Sequence, residues 1–298
     1  MDIRQLRFFV EIVKQGSFTK AAEQLHVAQP SISVAIKTLE DELGLALFNR
    51  RDRKATLTDE GEVFLGHAQG VLASLEAARQ EMADLRGLVA GEVRVGVPPM
   101  ISAYFLPDII CAFIQRYPHL RLSIFGEGAW RIQKMISIGE IDMGVIASRT
   151  IPDDLEARHF LREEVVVCVP PGHRFAGRQS VSFKEFMAEP LVFYKEGYYL
   201  RELIEELFKE NGGTPRIVFE TNLFSLVKSL VRRGLGISAF LRMVVVEDDE
   251  VAAIPFDPPF YLDLEIAWKK NAYLSKANQA FVDFLLERTK VFATEQQA

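Results

Sequence analysis

Gln29, Ser31, Ser33, Val34, Lys37 and Thr38 fall on one side of a stretch whose other side carries Ile32, Ile36, Leu39 and Leu43. Those four recur at helical spacing and make one buried stripe. Pro30 stands at the start of the stretch, where a missing N–H costs nothing. The exposed face is then a set of amides, hydroxyls, one ammonium and one small apolar contact, groups able to read base edges and touch phosphates. A little further on, Arg50, Arg51, Arg53 and Lys54 crowd together against one acid, Asp52. Such local positive charge suits phosphates or a minor groove.

A helix can offer that face only if its back is held. The segment from Ser17 to Leu43 reads as helix, tight turn and second helix. Ala21 and Ala22 permit close helix approach, Leu25 faces the partner helix, Val27 continues the core from the turn, and Gly44 stops the second helix. His26 occupies the turn position where glycine is common, so a left-handed backbone there is strained. Ile3, Leu6, Val10 and Val13 predict one inward face of a preceding helix that ends at Gly16. LALFNRRDRKATLT reads as two short strands around a basic centre, the wing of a winged helix-turn-helix. An αα-hairpin inside a larger helical domain is the competing reading. The joint occurrence of small residues, an apolar turn residue, a proline start, an uncharged polar face and a basic loop favours DNA recognition.

The segments GSFTKAAEQLHVAQPSISVAIKTLEDELGLALFNR and TLTDEG closely resemble the amino-terminal domain of LysR-type transcriptional regulators. The expected DNA-contacting set is therefore Gln29, Pro30, Ser31, Ser33, Val34, Lys37 and Thr38, with Arg50, Arg53 and Lys54 on the wing. The resemblance implies double-stranded DNA with an interrupted inverted repeat as target and a homodimer or dimer of dimers as the working state. RNA polymerase is a further implied partner, the cytoplasm the implied location, and a cofactor is not implied.

Thr58 predicts an N-cap, with Asp59 and Glu60 complementing the positive end of a helix that runs to about Arg86. Phe64, Ala68, Val71, Leu75, Ala78, Met82 and Leu85 alternate spacings of four and three along it, a coiled-coil seam. The resemblance implies that this linker helix pairs two subunits. RGLVAGE then marks a hinge. Beyond it, strands and helices alternate: EVRVGV, a helix containing AFIQRY, LRLSIF, a helix from Trp130 to Ile138, and DMGVIA. A second set follows with VVVCV, LVFY, a helix from Tyr199 to Glu210, RIVFE, a helix from Leu223 to Arg233, and ISAFL. A loop around Pro255, Pro258 and Pro259 precedes LEIAWKK and a final helix from Lys276 to Phe292. This order predicts an α/β effector domain of two lobes with a parallel or mixed sheet. The looser resemblance here implies a fold like that of periplasmic solute-binding proteins. The expected division is a helix-dominated winged helix-turn-helix domain (1–58), a linker helix (59–88) and an effector-binding domain (89–298). Lobe I takes about 89–163 and 267–298, and lobe II about 164–266.

In open α/β sheets, ligands collect beyond the carboxyl ends of strands, where the N–H groups of following helices converge. That rule selects Pro98, Pro99, Met100 and Ser102, then Gly128, Ala147 and Ser148, then Tyr194, Gly197, Thr221 and Asn222. Their hydroxyls and amides suit a small carboxylate. Phe193, Tyr194, Tyr198, Tyr199 and Phe224 fall near the same edge by sequence position, an expected lining for an aromatic or apolar acid.

The whole chain of 298 residues has a net charge of −6, which looks wrong for a DNA reader until it is divided. Residues 1–58 carry nine basic and seven acidic groups, so the acidic excess lies beyond the helix-turn-helix. The five histidines, 26, 67, 119, 159 and 173, lack metal-ligand spacing, and no phosphate loop, nucleophile elbow or paired-carboxylate motif suggests an enzyme. The most apolar stretch, from Val97 to Ile114, is broken by Pro98, Pro99, Pro107 and Asp108, so no membrane span is expected. The start has no signal-peptide h-region, which argues against an exported solute-binding subunit. A non-specific chromosome organiser would not need the two-lobed domain. Cys111 and Cys168 sit in apolar surroundings and are expected to be core thiols.

Overall fold

The computed structural model describes residues 1–49, 55–85, 91–147, 151–246 and 248–295, in two compact units. The first is built on α1 (Ile3–Gln15), α2 (Phe18–Gln24), α3 (Gln29–Leu43) and α4 (Asp59–Leu85). A capping box between Asp2 and Gln5 starts α1, and Gly16, at φ 61°, ends it. The inner face of α1 is Leu6, Phe8, Phe9 and Ile12 rather than the expected line, for Ile3 is exposed and Val10 and Val13 are half-buried. Rotation of the helix follows from size, since two phenylalanines bury more apolar area than two valines. Phe9 lies 5.3 Å from Phe48 and 5.1 Å from Phe64, and Phe18 lies 5.2 Å from Phe48. These rings join α1, α2, the strand before the wing and the start of α4 in one core. Phe64 and Ala68 therefore belong to this core, which corrects the expected seam: its free part begins at Val71. Val71, Ala78, Met82 and Leu85 are exposed, Leu85 at 75 %.

The second unit contains β1 (Gly91–Val97), α5 (Pro99–Tyr104), α6 (Leu106–Arg116), β2 (Leu120–Gly126), α7 (Ala129–Ser137), β3 (Met143–Ala147) and β4 (Leu155–Val169). It continues with β5 (Val181–Ser182), α8 (Phe183–Met187), β6 (Pro190–Tyr194), α9 (Tyr199–Glu210), β7 (Arg216–Thr221), α10 (Phe224–Arg232) and β8 (Ser238–Leu241). A tight helical turn (Arg242–Val244), β9 (Ala252–Lys269) and α11 (Lys276–Glu295) complete it. The strand order is β2-β1-β3-β9-β4-β8, with β5 beside β9. Strands β6 and β7 form a parallel pair joined to this sheet at Leu191 and Ile237.

Strands β4 and β9 are the long antiparallel members that belong to both lobes. The carboxyl half of β9 pairs with β3, as in Ala147 with Leu264, whereas the carboxyl half of β4 pairs with β8, as in Val165 with Leu241. Sequence periodicity missed the first half of β4, LEARHFLREE, because its exposed polar residues hide the alternation. The expected loop at Pro255, Pro258 and Pro259 is instead a bulge within β9. Val165 pairs with Phe260 and Val166 with Pro255, while Phe256 and Asp257 in the bulge pair with β5. Proline cannot donate to a ladder and is tolerated where the strand bulges. Cys168 is buried as expected, but Cys111 is exposed. On α6, Ile109 and Phe113 face the core, and a residue midway between them points away.

Candidate DNA interface and effector cleft

On α3, Ile32, Ile36 and Leu39 are buried and Leu43 half-buried, while Gln29, Pro30, Ser31, Val34, Lys37 and Thr38 are exposed and Ser33 half-buried. Val34, at 65 % exposure, is an apolar side chain on a polar face, suited to contact a thymine methyl group. The Gln29 amide donates to Ser33 Oγ at 2.8 Å, and the Thr38 hydroxyl donates to the Val34 carbonyl at 2.9 Å. Both pairs preset side-chain directions along the face. Behind it, Ala21 and Ala22 are buried where α2 meets α3. His26 takes the left-handed conformation with φ 53°, the strain foreseen from a non-glycine turn residue.

The base of the wing is pinned from three sides. Glu40 of α3 accepts from the backbone N–H of Leu47 and of Phe48, at 2.7 and 3.2 Å. Phe48 and Leu57 form an antiparallel bridge, and Ala55 N–H donates to the Gly16 carbonyl at 3.1 Å. Thr58 Oγ1 accepts from Gly61 N–H at 3.0 Å and donates to the Ala46 carbonyl at 2.7 Å, so the cap of α4 also ties the wing. Gly61 is needed there because any side chain would strike the Leu47 carbonyl. Arg50, Arg53 and Lys54 lie outside the described residues, as does Ser148. Thr19 and Lys20 are exposed in the first turn of α2, which Ser17 caps; in this motif the first helix crosses the DNA backbone.

In the second unit, the carboxyl ends of β1, β2, β6 and β7 lead into α5, α7, α9 and α10. Gly128 of lobe I and Gly197 of lobe II come together: a side chain at Gly128 would put its Cβ 2.5 Å from the Gly197 carbonyl oxygen. Only bare backbone fits so close an approach. Beside it, Tyr198 is half-buried and donates from its hydroxyl to the Asn222 carbonyl at 2.6 Å. Burial and the charge of Glu127, in that order, hold the phenol above its ordinary pKa. Among the described residues, α5, α9 and α10 each begin without a side-chain cap, leaving first-turn N–H groups for other acceptors.

Several residues selected for the cleft are used elsewhere. Tyr194 is fully buried in lobe II and donates to the Ala239 carbonyl at 2.9 Å, with Phe193 buried beside it. Neither ring can be lining, because a strand running into a core alternates its side chains into packed layers on both faces. Met100 and Ala147 are core residues. The Thr221 hydroxyl accepts from Leu223 N–H at 3.2 Å, shaping the turn into α10. Ser102 is half-buried and donates to the Pro99 carbonyl within its own helix at 2.9 Å, so its hydroxyl offers an incoming group acceptor lone pairs. Arg201, the large cation near these strand ends, is satisfied by Glu205, Glu220 and the Tyr194 carbonyl. The buried Cys168 thiol is pushed up to about 12 by burial and stays protonated.

A winged helix-turn-helix unit joined to a two-lobed α/β binding domain defines a DNA-binding regulator with a sensor domain. Residues 3–62 match the bacterial regulatory helix-turn-helix protein, lysR family, and residues 86–290 match the LysR substrate binding domain. The HTH-type transcriptional regulator YwbI of Bacillus subtilis is 33 % identical over 98 % of this chain and 97 % of its own. A full-length OxyR variant from Pseudomonas aeruginosa superposes with TM-score 0.76 at 25 % identity, covering 98 % of this chain and 95 % of that one. Full-length CbnR complexed with its target DNA has the same fold, with TM-score 0.68 at 22 % identity and coverage of 97 % and 100 %. The chain belongs to the LysR family of transcriptional regulators. It is a DNA-binding regulator, not an enzyme, and among the described residues no helix is long and apolar enough to cross a membrane.

Proposed function

We propose that the effector is a small organic acid held between the two lobes, and that it modulates how the α3 face and wing engage an interrupted inverted repeat. Two observations support this reading: Gly128 and Gly197 approach closely between the lobes, and α5, α9 and α10 begin without a side-chain cap. Backbone N–H groups at helix starts favour an anion. Pro99, Ser102, Gly128, Gly197, Tyr198 and Asn222 form its wall, with Met100, Ala147, Thr221 and the Tyr194 backbone as support. The exposed stripe Val71, Ala78, Met82 and Leu85 of α4 supports pairing of two chains, as a homodimer or dimer of dimers, whose two recognition helices meet paired half-sites. RNA polymerase is the partner through which the cytoplasmic complex changes transcription. By linkage, an effector alters DNA binding only if it prefers one arrangement of the regulator, and couplings of about 1–3 kcal/mol suffice.

Calorimetric titration with a panel of small carboxylic acids, aromatic ones included, combined with operator footprints, tests the sensor. Binding of an acid that also changes the footprint is expected. Response only to cationic or neutral metabolites would overturn the choice of an acid. Sedimentation tests pairing: the parent is expected to be at least dimeric and Leu75→Glu to loosen it, since the variant places a charge in the seam. A monomeric parent contradicts the seam.

A further inference from the structure

A second place where the lobes meet involves a cation that the effector reading does not use. Lys228 of α10 lies in lobe II, yet its ammonium meets both lobes. Its Nζ is 2.6 Å from Asp248 Oδ2, 3.2 Å from the Val244 carbonyl oxygen and 3.2 Å from the hydroxyl of Tyr104, the last residue of α5 in lobe I. A lysine ammonium has three donors, and all three are directed at these partners. The Nζ also stands 5.4 Å from the Tyr104 ring centre, and that ring is 6.1 Å from Phe224 of α10. Lys228 and Asp248 side chains are each only 21 % exposed, which limits screening by water and salt. Burial acts to lower the Lys228 pKa, but hydrogen bonds to Asp248 and Tyr104 outweigh it and hold the ammonium above its ordinary value.

The turn that receives Lys228 is itself fixed. Glu163 of β4 accepts from Met243 N–H at 2.8 Å, and Glu164 pairs with Arg242 at 2.5 Å. These glutamates lie on the stretch of β4 between its lobe I and lobe II pairings. The turn Arg242–Val244 is thus anchored to the strand that runs through both lobes, and Lys228 ties it to the end of α5. Helix α5 is short, about 9 Å from six residues at 1.5 Å each. Its first residue is at the cleft wall and its last is under the ammonium.

The geometry points to Lys228 as a latch between lobes: its ammonium fastens the end of α5 in lobe I to Val244 and Asp248 in lobe II. Breaking it loosens the end of α5, while Met100 and Ile101 keep the helix seated in the core, because the Lys228 stem and the exposed Tyr104 ring are peripheral to the buried cluster.

Hydrogen–deuterium exchange on the full-length protein without ligand tests this. The amides of Ser102 and Phe105, which donate to the carbonyls of Pro98 and Ile101, report on α5. In Lys228→Met, which keeps the stem and removes the charge, these amides are expected to exchange roughly five- to tenfold faster. Asp248→Asn keeps the link to Tyr104, so acceleration is expected around Val245 and Val246 with α5 within about twofold of the parent. Tyr104→Phe, a change at an exposed position that retains the ring, is expected to accelerate α5 by about two- to threefold. Should Lys228→Met fold poorly, Tyr104→Phe decides by itself. Unchanged α5 exchange in Tyr104→Phe, or equal acceleration of α5 by Asp248→Asn and Lys228→Met, would overturn the latch.

Discussion

The α3 face and the effector cleft were both selected from polar side chains at the ends of regular elements, but the fold uses those side chains differently. On α3, six of the seven residues are exposed, and the internal bonds, Gln29 to Ser33 and Thr38 to the Val34 carbonyl, orient groups already aimed outward. In the cleft, Tyr194, Met100, Ala147 and Thr221 are buried in the lobes, and Ser102 bonds within its own helix. The proposed wall then rests largely on backbone at Gly128, Gly197 and the helix starts, with Ser102, Tyr198 and Asn222 not buried beside it. A DNA duplex is a broad surface that must be met by protruding groups. A small molecule enclosed by two lobes can be held by main chain, with side chains serving to shape it.

Phe9→Ala should have the largest effect, because it strikes the core beneath the reader. Loss of ring contacts with Phe48 and Phe64 is expected to destabilise the first unit by about 3–5 kcal/mol in urea unfolding. The second unit's transition should not move. Unfolding of both together would erase the distinction between the two regions.

Lys37→Ala comes next, at about 1–3 kcal/mol of operator binding if Lys37 reads a base, with relaxed preference at one position. A phosphate role would instead weaken all sequences alike and reduce the salt slope by about one unit. Binding of variant operators at several salt concentrations separates these outcomes, and no change in either would remove Lys37 from the interface.

Ser102→Ala should cost less, about 1 kcal/mol or below in effector binding by calorimetry, because the hydroxyl donates to Pro99 rather than outward. A loss as large as that of Lys37→Ala on DNA would mean that the cleft, too, works through side chains. Glu185 is a control in neither region. Hydrogen bonds from Arg178 and then Ser182 hold its carboxyl at about 2 against an ordinary 4.5. A depressed carboxyl pKa contributes stability that is present above the unfolded value and lost as pH falls through the folded one. Glu185→Gln should therefore flatten the stability profile between about pH 4.5 and 2 while leaving both binding reactions unchanged.

The DNA reader was largely legible in the sequence because it is local: helix periodicity, the proline start, Gly44 and the strained His26 all lie within one short stretch. Even there the inward face of α1, expected at Ile3, Leu6, Val10 and Val13, is Leu6, Phe8, Phe9 and Ile12, since side-chain size chose it over simple spacing. Most of the order of strands and helices in the second unit was also legible, down to α9 beginning at Tyr199, but the first half of β4 and the course of β9 through its prolines were not. The cleft was less so. The strand-end rule selects Gly128 and Gly197, which the fold brings close together, but which way Phe193 and Tyr194 point depends on the layers packed around β6. The contact of Lys228 with Tyr104 joins residues 124 positions apart, and no local pattern announces it. Likewise, the proline-rich bulge in β9 is held by pairing with β5, a distant partner.

DNA reading by side chains of α3 and effector binding by main chain between the lobes are separable, as proposed above. A paired measurement on Lys37→Ala and Gly128→Val tests this most directly, using operator binding by anisotropy without effector and calorimetry with whichever carboxylic acid binds the parent. Lys37→Ala should lose operator affinity and keep acid binding. Gly128→Val, whose side chain would collide with the Gly197 carbonyl, should lose acid binding by at least about tenfold and keep operator affinity. Parent-like acid binding in Gly128→Val, or equal loss of operator affinity in both variants, would contradict the account.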